Sequence, residues 1–376
     1  MKKIIFGAMA AVALLACSKD QVIEQNRAND EITFSVVAEN QTRAAAVYCA
    51  NNLLPEFNVA ATYTKEGTTQ WYFQNDNIEF VEGAWVNQTT TRYWADGGTL
   101  DFYAIYNGTM NMTAIDGTPA APTVDFKPDT DVTKQLDLLY AVTTGKTKSS
   151  NAVELNFRHA LSQIEFKAKN TNQQLHVEIT GVRVGQTPGT GVFTYPSVNT
   201  DDKFVDHEQA GNLINYTTGT WTSSNPADYT ATFTTVPVKG DSNPVGLTLS
   251  TDASGETRDF ANSMLLIPAK TTAWAPEDGT TYDGSYLAVN CNIYNVAGSS
   301  YVPGSDICLH TGWAVIPVAF DWQPGKKYIY TFVFGEGNGG YEDDPENPEP
   351  VLTPISYTVT VDDFQKGVDS DVQMKY

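Results

Sequence analysis

Four histidines and four cysteines are the side chains of this 376-residue chain best suited to metal or nucleophilic chemistry. The histidines stand singly, at His159, His176, His207 and His310. His207 lies between Asp206 and Glu208, and His310 follows Cys308 by two positions, but neither arrangement recurs as a ligand pattern. Cys49, Cys291 and Cys308 form no C-x-x-C pair, so a zinc site has no support. Cys291 and Cys308 could make one disulfide or remain two buried thiols. The carboxylate pairs Asp201-Asp202, Asp343-Asp344 and Asp362-Asp363 are adjacent. On a strand, neighbours point to opposite faces, so these carboxylates do not converge for acid–base work. Asp96-Gly97-Gly98 and Asp125 make no regular calcium loop. The reading is a protein with no catalytic, cofactor or metal residues. Seven tryptophans (Trp71, Trp85, Trp94, Trp221, Trp274, Trp313 and Trp322) leave sugar stacking open, although alternating aromatics on strands more often form core.

Composition narrows the class. Asp and Glu number 44 against 23 Lys and Arg, a net charge of −21, which excludes nucleic acid as a partner because phosphate binding needs a basic surface. Length suggests roughly two domains. The 19 Tyr, 17 Phe, 28 Gly and 18 Pro point to strands and turns. Lys2 and Lys3 precede an apolar run over 4–16, too short for a membrane anchor. The run ends Leu14-Leu15-Ala16-Cys17, which resembles a bacterial lipoprotein signal, with lipid on Cys17 and cleavage after Ala16.

Those residues must be positioned by strands. After a polar stretch over 18–30, Ile32, Phe34 and Val36 alternate with polar or smaller neighbours, predicting a strand over 32–38. Arg43 and Ala44 follow in a polar, small-residue segment suited to proteolytic nicking. Strands are predicted over 57–63, 71–73, 85–86, 93–94, 100–106, 124–126, 138–143 and 153–157, with one short helix over 132–136. A second set is predicted over 164–168, 175–184, 229–235, 245–249, 263–267, 286–294, 314–320 and 327–334, with a long polar loop over 186–228. No helical periodicity persists over three turns. The chain reads as all-β, in two sandwiches divided near Arg158–His159.

Residues 335–350 (GEGNGGYEDDPENPEP) are Gly-rich, then acidic and Pro-rich, predicting an exposed linker outside any ladder. Beyond it Ile355, Tyr357, Val359 and Val361 alternate with Ser356, Thr358 and Thr360. This amphipathic strand either folds back beside 327–334 or leaves to complete another subunit's sheet. Deletion of 351–376 is predicted to leave a folded monomer.

Together these strings resemble the fimbrillin (Mfa-like) family, pilins of protease-assembled type V fimbriae. The resemblance rests on the lipid-signal cysteine, Thr42-Arg43-Ala44, the run Phe157-Arg158-His159-Ala160-Leu161-Ser162-Gln163-Ile164, and Trp322-x-Pro324-Gly325-Lys326-Lys327-Tyr328. It implies two transthyretin-like β-sandwich domains in tandem: a signal peptide (1–16), a lipidated propeptide (17–43), and domains over 44–158 and 159–376. It implies an outer-membrane lipoprotein precursor, cut after Arg43 by an arginine-specific protease, with Arg27 as the rival site. The cut would free the strand of Ile32, Phe34 and Val36. The strand of Ile355, Tyr357, Val359 and Val361 from another subunit would fill its place, building a cell-surface fimbrium that meets host or microbial ligands. The other reading is a surface adhesin or glycan-binding lipoprotein, including a tip subunit that does not polymerise.

Overall fold

A computed structural model describes residues 30–38, 54–149, 151–197, 219–240, 243–247, 250–251, 257–258, 263–276, 281–296, 301–363 and 373–374. Strands dominate, and the helix expected over 132–136 is a single 3-10 turn, Val132–Lys134. Asp131 caps it by accepting from the Thr133 N–H, and extended Gln135 ends it. So short a run cannot offset the cost of nucleating an α-helix.

The N-terminal strands are β1 (Phe34–Ala38), β2 (Glu56–Lys65), β3 (Thr68–Val81), β4 (Ala84–Asn87), β5 (Thr99–Tyr106), β6 (Thr123–Phe126), β7 (Leu139–Lys146) and β8 (Val153–His159). Where the sequence predicts a sandwich, all but β6 pair in a closed ring, β1-β8-β7-β5-β2-β3-β4 and back to β1. Closure removes the exposed edges that a sheet otherwise presents. Phe57, Phe73, Trp94, Phe102 and Leu155 fill the interior. β2 shows how the sequence specifies this. Val59, Ala61 and Tyr63 point into the barrel, while Ala60 packs in a separate cluster outside it. A strand buried on both faces reads as a continuous apolar run.

The C-terminal strands are β9 (Ser162–Asn170), β10 (Leu175–Thr194), β11 (Thr220–Lys239), β12 (Val245–Gly246), β13 (Met264–Leu266), β14 (Tyr286–Asn295), β15 (Ile307–Pro317), β16 (Lys326–Phe334), β17 (Tyr341–Glu342) and β18 (Ile355–Asp363). One sheet runs β12-β9-β16-β18, with Gln373–Met374 on the far side of β18 and β13 also on β9. The other runs β11-β10-β14-β15-β17. Ile164, Phe166 and Phe332 of the first and Val177, Ile179 and Val289 of the second belong to one core.

The loop expected over 186–228 is in part a hairpin, because β10 and β11 pair from His176↔Lys239 out to Thr194↔Thr220. Residues 198–218 lie outside the described residues. Gly, Thr and Pro disguised the outer half, yet burial still alternates along β10. Small residues are required there: a Cβ on Gly191 would come within 2.9 Å of the Trp221 ring. This outer half reaches the N-terminal strands. β6 pairs with β10, Tyr195 Oη donates to the Ala104 carbonyl at 2.9 Å, and Trp221 Nε1 donates to the Ala160 carbonyl at 2.7 Å. Tyr140, Phe193, Tyr195 and Leu265 share a cluster at this junction.

Candidate functional site

The barrel closes through its first strand. β1 runs parallel to β8, with Phe34↔Val153 through Ala38↔Phe157 in register, and the Val153 N–H donates to the Thr33 carbonyl at 2.7 Å. On its other side β1 meets β4 at one residue pair, Phe34↔Trp85. Upstream, the Ile32 N–H donates to the Arg92 carbonyl and the Trp94 N–H to the Asp30 carbonyl, each at 2.8 Å. Lys148 Nζ pairs with the Asp30 carboxylate. The segment is therefore clamped on both sides at 30–34 and on one side beyond.

The expected alternation is present. Ile32 and Phe34 are buried and Val36 is half-buried, while Glu31 and Thr33 are exposed. Phe34 packs edge-on against Phe57 and Phe102, with ring centroids 6.2 and 5.9 Å away. The parallel partner is not something sequence reasoning located, because alternation specifies a strand and not its neighbour.

A charged network holds the loop that receives Ile32. Asp76 is fully buried. It accepts from Arg92 Nε at 2.7 Å, Arg92 Nη2 at 2.9 Å and Asn87 Nδ2 at 2.8 Å. The Arg92 guanidinium lies 5.0 Å from the Phe73 ring centroid. Its hydrogen bonds to Asp76 hold its pKa above the ordinary arginine value. Sequence reading missed Asp76 and Arg92, and nothing in their spacing marks them.

The terminal strand β18 lies within its own sheet. It pairs antiparallel to β16 over nine residues, Phe334↔Ile355 through Lys326↔Asp363. Ile355 and Val359 are buried, and Tyr357 and Val361 pack half-buried against the same core.

The linker expected to stay outside any ladder is docked. Glu342 and Tyr341 of β17 pair with Ala314 and Val315 of β15. Asp343 accepts from Arg183 Nη1 at 3.0 Å and from Tyr282 Oη at 2.6 Å, and Arg183 lies over the Trp313 ring at 4.2 Å. Glu342 lies 3.2 Å from His310. The acidic run is thus compensated by groups from β10, β15 and the segment before β14, and the run folds back on itself through a bridge between Tyr341 and Pro350. Burial and the Asp343 carboxylate push the Tyr282 hydroxyl well above the ordinary phenol value.

The remaining reactive side chains take structural places. His159 Nδ1 lies 2.6 Å from the buried Asp137 carboxylate, His176 stacks on Tyr301, and His207 lies outside the described residues. Among the described residues no three His, Cys, Asp or Glu gather as a metal site. All seven tryptophans are buried or half-buried. Cys291 and Cys308 are both free thiols. Cys291 opposes Gly312 and Cys308 opposes Tyr294, a stagger of about 10 Å along the ladder at ~3.3 Å per residue, beyond the ~7 Å that a disulfide spans. Burial also raises the Cys291 thiol pKa strongly. Alkylation of the folded protein is expected to label Cys308 and spare Cys291 until denaturant is added, read by peptide mass spectrometry; equal labelling without denaturant would contradict the burial. Cys17, Arg27, Arg43 and Ala44 lie outside the described residues.

No curated protein matches the chain by sequence. A crystal structure of a fimbrial protein from Bacteroides vulgatus is similar over 89% of this chain and 100% of its own, at 14% identity and a TM-score of 0.56. The fimbrial anchor protein Mfa2 from Porphyromonas gingivalis aligns over 89% of this chain and 98% of its own, at 11% identity and a TM-score of 0.33. Residues 42–361 match the description of fimbrillin-like proteins. With a match over most of its length, from the segment around Arg43 to the terminal strand, the chain belongs to the fimbrillin-like family.

Proposed function

We propose that the chain is a structural subunit of a cell-surface fimbrium, made as an outer-membrane lipoprotein precursor with lipid on Cys17. In this reading its halves are two units, over 44–158 and 159–376, the first a barrel closed by the leading strand and the second a sandwich of two sheets. An arginine-specific protease cuts between Arg43 and Ala44 and frees the segment carrying Ile32, Phe34 and Val36. The observation that carries the reading is the closure of the barrel by a leading strand lying just upstream of Arg43. Its departure uncovers the interior that Ile32 and Phe34 now cover, at about 1.5–3 kcal/mol for each large apolar side chain. It also leaves backbone groups of β8 without partners, at about 1–3 kcal/mol each where they stay dry. A strand of like alternation cancels both costs. Ile355, Tyr357, Val359 and Val361 of another copy supply it, and a head-to-tail contact of this kind builds a filament. The filament in turn presents the subunit to host or microbial surfaces.

The donor must leave β16, and that step gives the test. Thr331 and Thr358 are opposed in the β16–β18 ladder. A Thr331→Cys/Thr358→Cys chain, once oxidised, is expected to fold and to be cut after Arg43 but to give no SDS-resistant ladder, with reduction restoring it. Ladders of normal length from the locked protein would exclude β18 as donor. Absence of ladders from the wild-type cut protein would favour a tip subunit, consistent with a terminal strand seated in its own sheet.

A further inference from the structure

The register of β10 with β11 slips between Val184 and Thr187, so that Gly185 and Gln186 together face Asp228. An extra residue of this kind bends a strand and re-aims a side chain. Gln186 takes a left-handed backbone, at φ 55°, which costs a residue other than glycine about 1 kcal/mol or more. Asp228 holds it there. Its Oδ1 accepts from the Gln186 N–H at 2.9 Å and from Gln186 Nε2 at 3.2 Å, and its Oδ2 accepts from Tyr286 Oη at 2.9 Å. The amide is fixed, and among the described residues its Oε1 has no partner.

This bulge forms one side of an open cleft of about 490 Å³, a size typical of small-molecule sites. Pro226 of β11, the segment Lys270 to Thr272 and the segment Asp283 to Ser285 form the rest. Backbone pairing sets the two segments side by side: the Ser285 N–H donates to the Thr272 carbonyl at 2.8 Å, and the Trp274 N–H to the Ser285 carbonyl at 3.0 Å. Gly284 is required at this crossing, because a Cβ there would stand 2.5 Å from the Ala273 carbonyl. The Ser285 and Thr271 hydroxyls are spent inside the wall, on each other, on the Val318 carbonyl and on the Phe320 N–H. The exposed groups are not. Among the described residues Asp283 accepts only the Ala275 N–H, at 3.3 Å on Oδ1, and the Thr272 hydroxyl has no partner. Lys270 reaches only the exposed Asp321, at 3.3 Å.

We infer that this cleft binds a neutral sugar unit of a surface glycan. The inference rests on the reading that the subunit meets host or microbial surfaces, and gives that contact a place and a ligand class; it does not need strand exchange. Lys270 and Asp283 are of opposite sign, so the lining has no net charge and favours neither an anion nor a cation. It offers a donor at Lys270, acceptors at Asp283 and Gln186 Oε1, and at Thr272 a hydroxyl that does both. Hydroxyls on adjacent ring carbons suit such a set, since each gives one hydrogen bond and takes others. Pro226 supplies the apolar surface for the ring C–H groups. The fixed amide of Gln186 lowers the entropy cost of binding.

The test is saturation-transfer nuclear magnetic resonance on the uncut full-length protein, with the methyl glycosides of glucose, galactose, mannose and N-acetylglucosamine as probes. At least one is expected to bind, with a Kd of about 1 mM or tighter. Asp283→Asn keeps the Oδ1 that accepts from Ala275 and is expected to weaken that binding about tenfold. Thr272→Val is expected to weaken it about fivefold. Both variants are expected to melt at the wild-type temperature. Asp116→Asn, at an exposed turn of the N-terminal half, is expected to bind as wild type does. No transfer to any of the four glycosides would overturn the site, and so would equal binding by wild type and both variants. Transfer to N-acetylglycinamide with none to the glycosides would mark a peptide site and overturn the sugar. A sugar-binding protein that forms no ladder after the cut upholds the cleft and sinks strand exchange; ladders from a protein blind to all four glycosides do the reverse.

Discussion

A chain ending at Pro350 is expected to lose the cooperative folding of its C-terminal half. Val351, Ile355 and Val359 are each at most 7% exposed and pack in the core that both C-terminal sheets share. Burying three such side chains contributes roughly 5 kcal/mol or more. Deletion would also strip the antiparallel partner from all nine positions of β16. Total stabilities of domains run about 5–15 kcal/mol, so the loss is of the same size as the whole. The measurement is thermal unfolding followed by near-ultraviolet circular dichroism. The expected result is a lost or strongly broadened transition; a sharp transition near the wild-type temperature would show that β18 is dispensable. This outcome reverses the sequence-based expectation of a folded truncated monomer. It also sets the energetic condition for exchange: a donor leaving β16 gives up this burial, and the neighbour's groove must return it.

The second large effect is expected at Asp76. Asp76→Ala removes a fully buried carboxylate and leaves Arg92 and Asn87 without their acceptor. Removing one partner of a buried pair costs about 3–5 kcal/mol. Arg92 retains some contact with water, so the lower end applies, about 3 kcal/mol, or a fall of about 12 °C in Tm at ~4 °C per kcal/mol for a domain of this size. Asp76→Asn keeps one acceptor and is expected to cost less. The effect should reach the leading segment, because the Arg92 carbonyl receives the Ile32 N–H. Hydrogen exchange at Ile32 should therefore accelerate in Asp76→Ala. Unchanged melting and exchange would mean that the network does not hold this loop.

Much of the strand content was legible because alternation is local. Ile32, Phe34 and Val36 already announce a strand, as do Ile355, Tyr357, Val359 and Val361, since successive side chains of a strand face opposite ways whatever its neighbour. The outer halves of β10 and β11 were not legible. In β10, glycine stands where a side chain would collide with Trp221, so the apolar signal is weak although the burial is real; the facing half of β11 is mostly exposed and carries no apolar signal. The linker was misread for a related reason. Its composition says that acidic residues repel one another, and nothing in it says that Arg183, Tyr282 and His310 wait on the adjoining sheet.

By itself the sequence determined that this is a strand-built, acidic chain with an arginine after its first strand and an amphipathic strand near its end. Those are properties of residues and their immediate spacing. Only the tertiary structure decided that the first strand closes a barrel beside β8, that Asp76 and Arg92 hold the loop receiving it, and that β18 is seated on β16. Partner and register depend on contacts between residues far apart in the chain, and no periodicity encodes them.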